Sequence, residues 1–232
     1  MNQIKEYKFD SRDDLFGQLL RDIMATLSLS LKNNARASML LSGGTSPGAL
    51  YEMMSQQTLD WANVWFGLSD ERWVAPDHAD SNEKLVRETL LTHRAAGANF
   101  IGLKVAGEDI AAGQKASDQR LQALPRPFDI TLLGMGLDGH TASLFPDSAD
   151  TAAALSEGNK MLCHPIRRGE NETPRMTMTL NALLGSHEIK LLIFGEEKWQ
   201  VYEQARSKKS AEQPVSYLLH QTQTPVSVYW TP

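Results

Sequence analysis

Asp138 and His140 stand two residues apart in FDITLLGMGLDGHTASLFP, where an apolar run ends in a glycine-rich turn. A histidine titrates near neutral pH, so it can take a proton and return it, and a neighbouring carboxylate raises its pKa or fixes its tautomer. Lone histidines are usually structural, but one in a polar turn at a strand's carboxyl end is placed for catalysis. A second pair, Asp70 and Arg72 in GLSDERW, alternates at the end of another apolar run. Alternate residues share a face, so the two can point into one cleft, or they can form a structural ion pair. LLSGGTSPGALY places Ser42, Gly43, Gly44 and Thr45 ahead of a helical pattern. Adjacent glycines let backbone N–H groups approach an anion, and the positive end of the following helix favours it. No Gly-Lys-Ser/Thr follows, so this is not a Walker A loop.

Two cations complete the set. Arg175 in TPRMTMT precedes an expected helix, and Lys198 in FGEEKW opens another, so each can close on a phosphate, although alone either reads as a surface charge. Gly134, Gly136 and Gly139 also satisfy the G-x-G-x-x-G dinucleotide pattern. Against that reading, Pro146 interrupts the helix that should start at the third glycine. The next expected strand ends in Arg167-Arg168 in place of the acidic residue that would hold a ribose. The histidines show no paired metal spacing and there is no Cys-x-x-Cys, so no metal is expected.

The elements that must position these groups follow from periodicity. EYKF reads as a short strand, and Leu15, Leu19, Ile23, Leu27 and Leu31 recur every fourth residue, predicting a helix from Ser11 to about Leu31 with Ser11 and Asp14 as its capping box. Further strands are expected at Ala37 to Leu41, Asn63 to Leu68, Phe128 to Leu133, Met161 to Ile166, Ile189 to Phe194 and Pro225 to Trp230, with a helix from Ser81 to Leu91. Apolar strands without alternation, separated by helices, predict an α/β fold: a mostly parallel sheet covered by helices on both faces. Ligands of such sheets bind beyond the carboxyl ends of the strands, where each glycine-rich turn falls.

The 232 residues suit one domain spanning 1–232. The net charge of -5, with Lys and Arg scattered, argues against a nucleic-acid partner, so an anionic ligand must be held by local groups. No run approaches the ~18 apolar residues of a membrane span, and no signal peptide is visible, so a cytoplasmic protein is expected. The single cysteine, Cys163, lies in an apolar run and reads as a buried small hydrophobe. The segment from Arg167 to Thr173 is the expected mobile loop.

Four stretches in order, LSGGTSPGALY, WFGLSDERWV with DSNEKLVRETLL, FDITLLGMGLDGHTASLFP, and PRMTMTLNALLG with LLIFGEEKW, carry a resemblance. Together they are similar to the 6-phosphogluconolactonases of the glucosamine-6-phosphate isomerase/deaminase superfamily. The resemblance implies a Rossmann-like three-layer fold and hydrolysis of 6-phosphoglucono-1,5-lactone to 6-phosphogluconate without metal or cofactor, a step of the oxidative pentose phosphate pathway. It implies His140 as the acid-base group, oriented by Asp138. Gly43, Gly44 and Thr45, beside Ser42, would line the phosphate site with Arg175 and Lys198. Asp70 and Arg72 would face the sugar ring and carbonyl, and Arg167 or Arg168 would add a contact. In the deaminases a phenylalanine-asparagine-glutamate run follows the histidine turn, whereas here the run is Ser143-Leu144-Phe145. The alternatives are a sugar-phosphate isomerase/deaminase, a non-catalytic sugar-phosphate sensor and a dinucleotide-dependent dehydrogenase. A monomer or small homo-oligomer fits the expectation.

Overall fold

The computed structural model describes residues 4–44, 46–107 and 109–232. Thr45 of the glycine loop therefore lies outside the described residues. The strands are β1 (Ile4–Lys8), β2 (Ala37–Leu41), β3 (Val64–Leu68), β4 (Asp70–Arg72), β5 (Asn99–Ile101), β6 (Ile130–Gly134), β7 (Cys163–Ile166), β8 (Arg175–Met178), β9 (Ile189–Phe194) and β10 (Val226–Thr231). Between them run α1 (Arg12–Asn34), α2 (Gly48–Ser55), α3 (Asn82–Thr89), α4 (Ile110–Leu121), α5 (Thr151–Leu155), α6 (Leu180–Leu184), α7 (Glu196–Ser207) and α8 (Val215–Leu219).

Seven strands make one sheet in the order β1-β10-β9-β6-β2-β3-β5, every pair parallel. Helices cover both of its faces, as the uninterrupted apolar strands require. β2 is buried at every residue and β6 and β9 at all but their last. From β2 the chain steps through β3 to β5 at one edge, returns to β6 on the other side of β2, and continues outward to β9 and β10. The direction of winding thus reverses between β2 and β6, and the loops leaving these two strands diverge to open a crevice.

The first helix is built as its periodicity demands. Leu15, Leu19, Ile23 and Leu27 are wholly buried, Leu31 partly. At its start the Ser11 hydroxyl accepts from the Asp14 N–H at 3.1 Å and donates to the Asp14 carboxylate at 2.7 Å. Cys163 is buried in the core, which pushes its thiol up to about 12, so at neutral pH it stays a neutral thiol.

Two expectations need correction. The strand at Met161 to Ile166 is realised as β7, but not in the parallel sheet. It joins β8 and β4 in a separate antiparallel sheet of order β4-β8-β7. Arg175 does not sit ahead of a helix but opens β8, and α6 follows that strand. Short apolar runs carry no record of which sheet will accept them, because partner choice is a tertiary contact.

The β2–β6 seam is held by few groups. Only Met39 with Ile130 and Leu40 with Thr131 are in register. Asp129 extends the seam: its N–H donates to the Ser38 carbonyl at 2.9 Å, and its carboxylate accepts from the Ser38 N–H at 2.7 Å. Replacing Asp129 by Ala would strand a buried N–H, so urea unfolding should show a loss of about 1–3 kcal/mol, with Asp129→Asn, which keeps an acceptor, losing less. Equal losses in the two variants would contradict this role.

Candidate functional site at the strand switch

The glycine loop after β2 is held from below and from the side. The buried Tyr51 hydroxyl, from α2, donates to the Ser42 carbonyl at 2.7 Å, and burial lifts its pKa far above the ordinary phenol value, so it remains a donor. A Cβ on Gly43 would lie 2.0 Å from the Asn82 side-chain oxygen. Glycine is therefore obligatory there, and the amide of Asn82 fills the space a side chain would take. Asn82 in turn donates to the Asp70 carbonyl at 2.8 Å, tying this loop to β4. Gly44 has φ +96°, a left-handed conformation that side chains resist. The loop ends at α2, whose N-terminus lies beside these exposed amides.

The turn after β6 folds the acid-base pair back on itself. Gly139 donates its N–H to the Gly136 carbonyl at 3.1 Å, and Gly136 donates to the His140 carbonyl at 2.9 Å. A Cβ at Gly136 would stand 2.2 Å from the imidazole and 2.5 Å from the Asp138 carboxylate, so only glycine admits both side chains. Asp138 Oδ1 lies 2.5 Å from His140 Nδ1 and also accepts the His140 N–H at 3.1 Å. An ionised carboxylate only accepts, so in a neutral imidazole this contact calls for the proton on Nδ1, with the lone pair on Nε2. His140 lines the cleft while Asp138 reaches the ring from outside it. The segment after Gly139 runs as turns and not as a helix, so the helix start needed for a dinucleotide pyrophosphate is absent at this point.

Asp70, Glu71 and Arg72 form β4, and their alternation sorts them as expected. Asp70 and Arg72 face the cleft. Glu71 points to α3, where it accepts from the Ser81 hydroxyl at 3.0 Å and from the Asn82 and Glu83 N–H groups at 2.8 Å. Burial nevertheless raises the Glu71 pKa. Asp70 does not pair with Arg72 among the described residues. Its carboxylate accepts from the Ser143 hydroxyl at 2.6 Å, which links β4 to the histidine turn, and from the Ser69 hydroxyl at 3.2 Å. Arg72 Nη1 donates to the Asp80 carbonyl at 2.6 Å, while its Nε is buried without a hydrogen-bond partner.

The antiparallel register sets Arg72 opposite Arg175. Burial lowers the Arg175 pKa and the Arg72 charge adds to the effect. Lys198, in the first turn of α7, is also depressed by burial, with the Asp138 charge opposing the shift. Of the two arginines left open by the sequence, Arg168 lines the cleft and Arg167 does not. Arg167 turns to Asp150, with Nη1 at 3.7 Å, because successive residues of an extended segment point opposite ways. Arg168 is gripped by Asp147 through two contacts, 2.7 and 3.0 Å, and by Glu172 at 3.1 Å. Together these groups border a cleft of about 450 Å³.

Sequence reasoning singled out neither Asn82, Ser143 and Phe145 as site residues nor Gly136 as a steric requirement. Phe145 entered only as the last residue of the Ser143-Leu144-Phe145 run. Its partners come from distant segments, so only the asparagine and serine among the polar residues of the two motifs offered a signal.

A model of the family described as glucosamine-6-phosphate isomerases/6-phosphogluconolactonase matches residues 10–230. A protein of Pseudomonas putida named 6-phosphogluconolactonase is 36% identical over 99% of this chain and 93% of its own length. One of that name from Rhizobium meliloti is 34% identical over 97% of each. The crystal structure of a 6-phosphogluconolactonase from Shewanella baltica superposes with a TM-score of 0.94 at 38% identity, covering 99% of this chain and 98% of that one. Matched along nearly its whole length in sequence and in backbone, the chain belongs to the glucosamine-6-phosphate isomerase/6-phosphogluconolactonase family.

Proposed function

We propose that this chain hydrolyses 6-phospho-D-glucono-1,5-lactone to 6-phospho-D-gluconate, as one lactonase domain over residues 1–232 of a cytoplasmic enzyme. The observation that carries this reading is the Asp138–His140 pair, 2.5 Å apart, presenting an imidazole to a cleft otherwise walled by a glycine loop and cations.

The phosphate is taken by the amides of Gly43 and Gly44 beside Ser42, with Lys198 and Arg175 closing on it; Thr45 belongs to the same proposed site. The lactone carbonyl then lies toward His140. Nε2 takes a proton from a water, whose oxygen bonds to the carbonyl carbon. The resulting oxyanion is met by the guanidinium of Arg72, which borders the cleft. On collapse the bond to the ring oxygen breaks, and the imidazolium returns its proton to that oxygen, leaving an open-chain carboxylic acid that loses its proton to solvent. Asp138 holds the tautomer and stabilises the transient imidazolium. Asp70, fixed by Ser143, orients the sugar hydroxyls. Hydrolysis by this route needs water, one base and charge stabilisation, and so neither metal nor cofactor. Isomerisation needs a second proton carrier beside the histidine, and here the neighbouring group is the Phe145 ring, 4.5 Å away.

With freshly made lactone, corrected for spontaneous opening, His140→Ala should lower proton release by roughly 100-fold or more while Gly136 and the fold are untouched. An unchanged rate would refute the assignment. Lys198 should act on affinity. Since burial holds its pKa below the usual lysine value, its charge is lost at lower pH than for an exposed lysine. Calorimetry with 6-phosphogluconate should therefore show binding that weakens early as pH rises, Lys198→Arg should carry that fall to higher pH, and Lys198→Met should weaken neutral binding by about 10-fold or more. A Lys198→Met protein with normal affinity would move the phosphate elsewhere.

A further inference from the structure

Phe145 is almost wholly buried, yet its ring is surrounded by charge. The Arg168 guanidinium carbon lies 4.3 Å from the ring centre, that of Arg175 5.1 Å, and the His140 ring centre 4.5 Å. Besides burial, the Arg168 charge helps to lower the Arg175 pKa. Carboxylates already meet them: Glu172 lies 3.1 Å from Arg168 and 4.0 Å from Arg175, and Asp147 lies 2.7 Å from Arg168. An aromatic face attracts cations through its quadrupole and leaves their charge intact. The same ring, packed on the imidazole, limits its rotation while Asp138 engages Nδ1.

We propose that Phe145 is a positioning residue. It gives Arg168 and Arg175 a shared face to pack on and sets the plane of His140, so that one aromatic side chain positions both the cations and the imidazole. This deepens the lactonase reading and rests on it for the turnover readout, whereas the anion grip is measured independently.

The test compares Phe145→Tyr, Phe145→Leu, Phe145→Met and Phe145→Glu, with thermal unfolding to establish that each is folded, and calorimetric binding of inorganic phosphate and of 6-phosphogluconate. Tyr keeps the quadrupole and should bind within about 2-fold of the parent. Leu and Met keep apolar volume without it and should weaken binding by about 5- to 30-fold, on the scale of two partly buried cation–ring contacts. Glu should weaken it more than Leu, although it attracts arginine more strongly, because it adds a negative charge to those Asp147 and Glu172 already place there. In lactone hydrolysis the Leu and Met variants should show a raised KM and a smaller loss in kcat, recovered in Tyr. If the folded Leu or Met variant binds both anions as the parent does, or if Glu binds as well as Tyr, the proposal fails. Should the parent bind these anions yet leave the lactone intact, the lactonase reading fails instead, and the affinities still decide the role of the ring.

Discussion

Everything at the site depends on β2 and β6 lying side by side. The two strands are far apart in sequence and share only a short parallel register, with the Asp129 carboxylate and N–H extending it to Ser38. Because winding reverses there, one strand delivers the glycine loop and the other the turn carrying His140 to the same cleft. Had β6 paired at an outer edge, the glycine loop and the imidazole would have opened on different parts of the sheet.

A second layer of construction turns this crevice into a shaped cleft. The small antiparallel sheet brings Arg72 and Arg175 into register and presents Asp70 beside Ser143 of the histidine turn. Asn82 bridges the other way, occupying the space left by Gly43 while bonding to Asp70. Each of these contacts joins two of the three loops, so the acid-base turn, the amide loop and the cation strand hold one another in place. The buried, unpartnered Nε of Arg72 and the depressed pKa values of Arg175 and Lys198 express the same arrangement in energy. Positive groups have been drawn together and partly dehydrated.

Glycine has two separate uses here. At Gly44 and Gly139 it admits left-handed backbone. At Gly43 and Gly136 it makes room: for the Asn82 amide in one case and for the Asp138–His140 pair in the other. The first use is local and can be guessed from a turn. The second is invisible until the neighbour is known.

That division describes the whole chain. Helix α1, its Ser11 cap, the apolar strands and the pairing of Asp138 with His140 were readable in the sequence, because each depends on residues within a turn or two or on the periodicity of burial. The sorting of Asp70 and Arg72 from Glu71 was readable for the same reason, as strands alternate. What tertiary structure alone decided was membership and company: that Cys163–Ile166 and Arg175–Met178 leave the main sheet for a second one, that Arg168 and not Arg167 turns to the cleft, and that Phe145 lies between two guanidiniums and an imidazole. Such choices arise from contacts between segments distant in the chain, whose energies depend on the packed arrangement and leave no mark on local spacing.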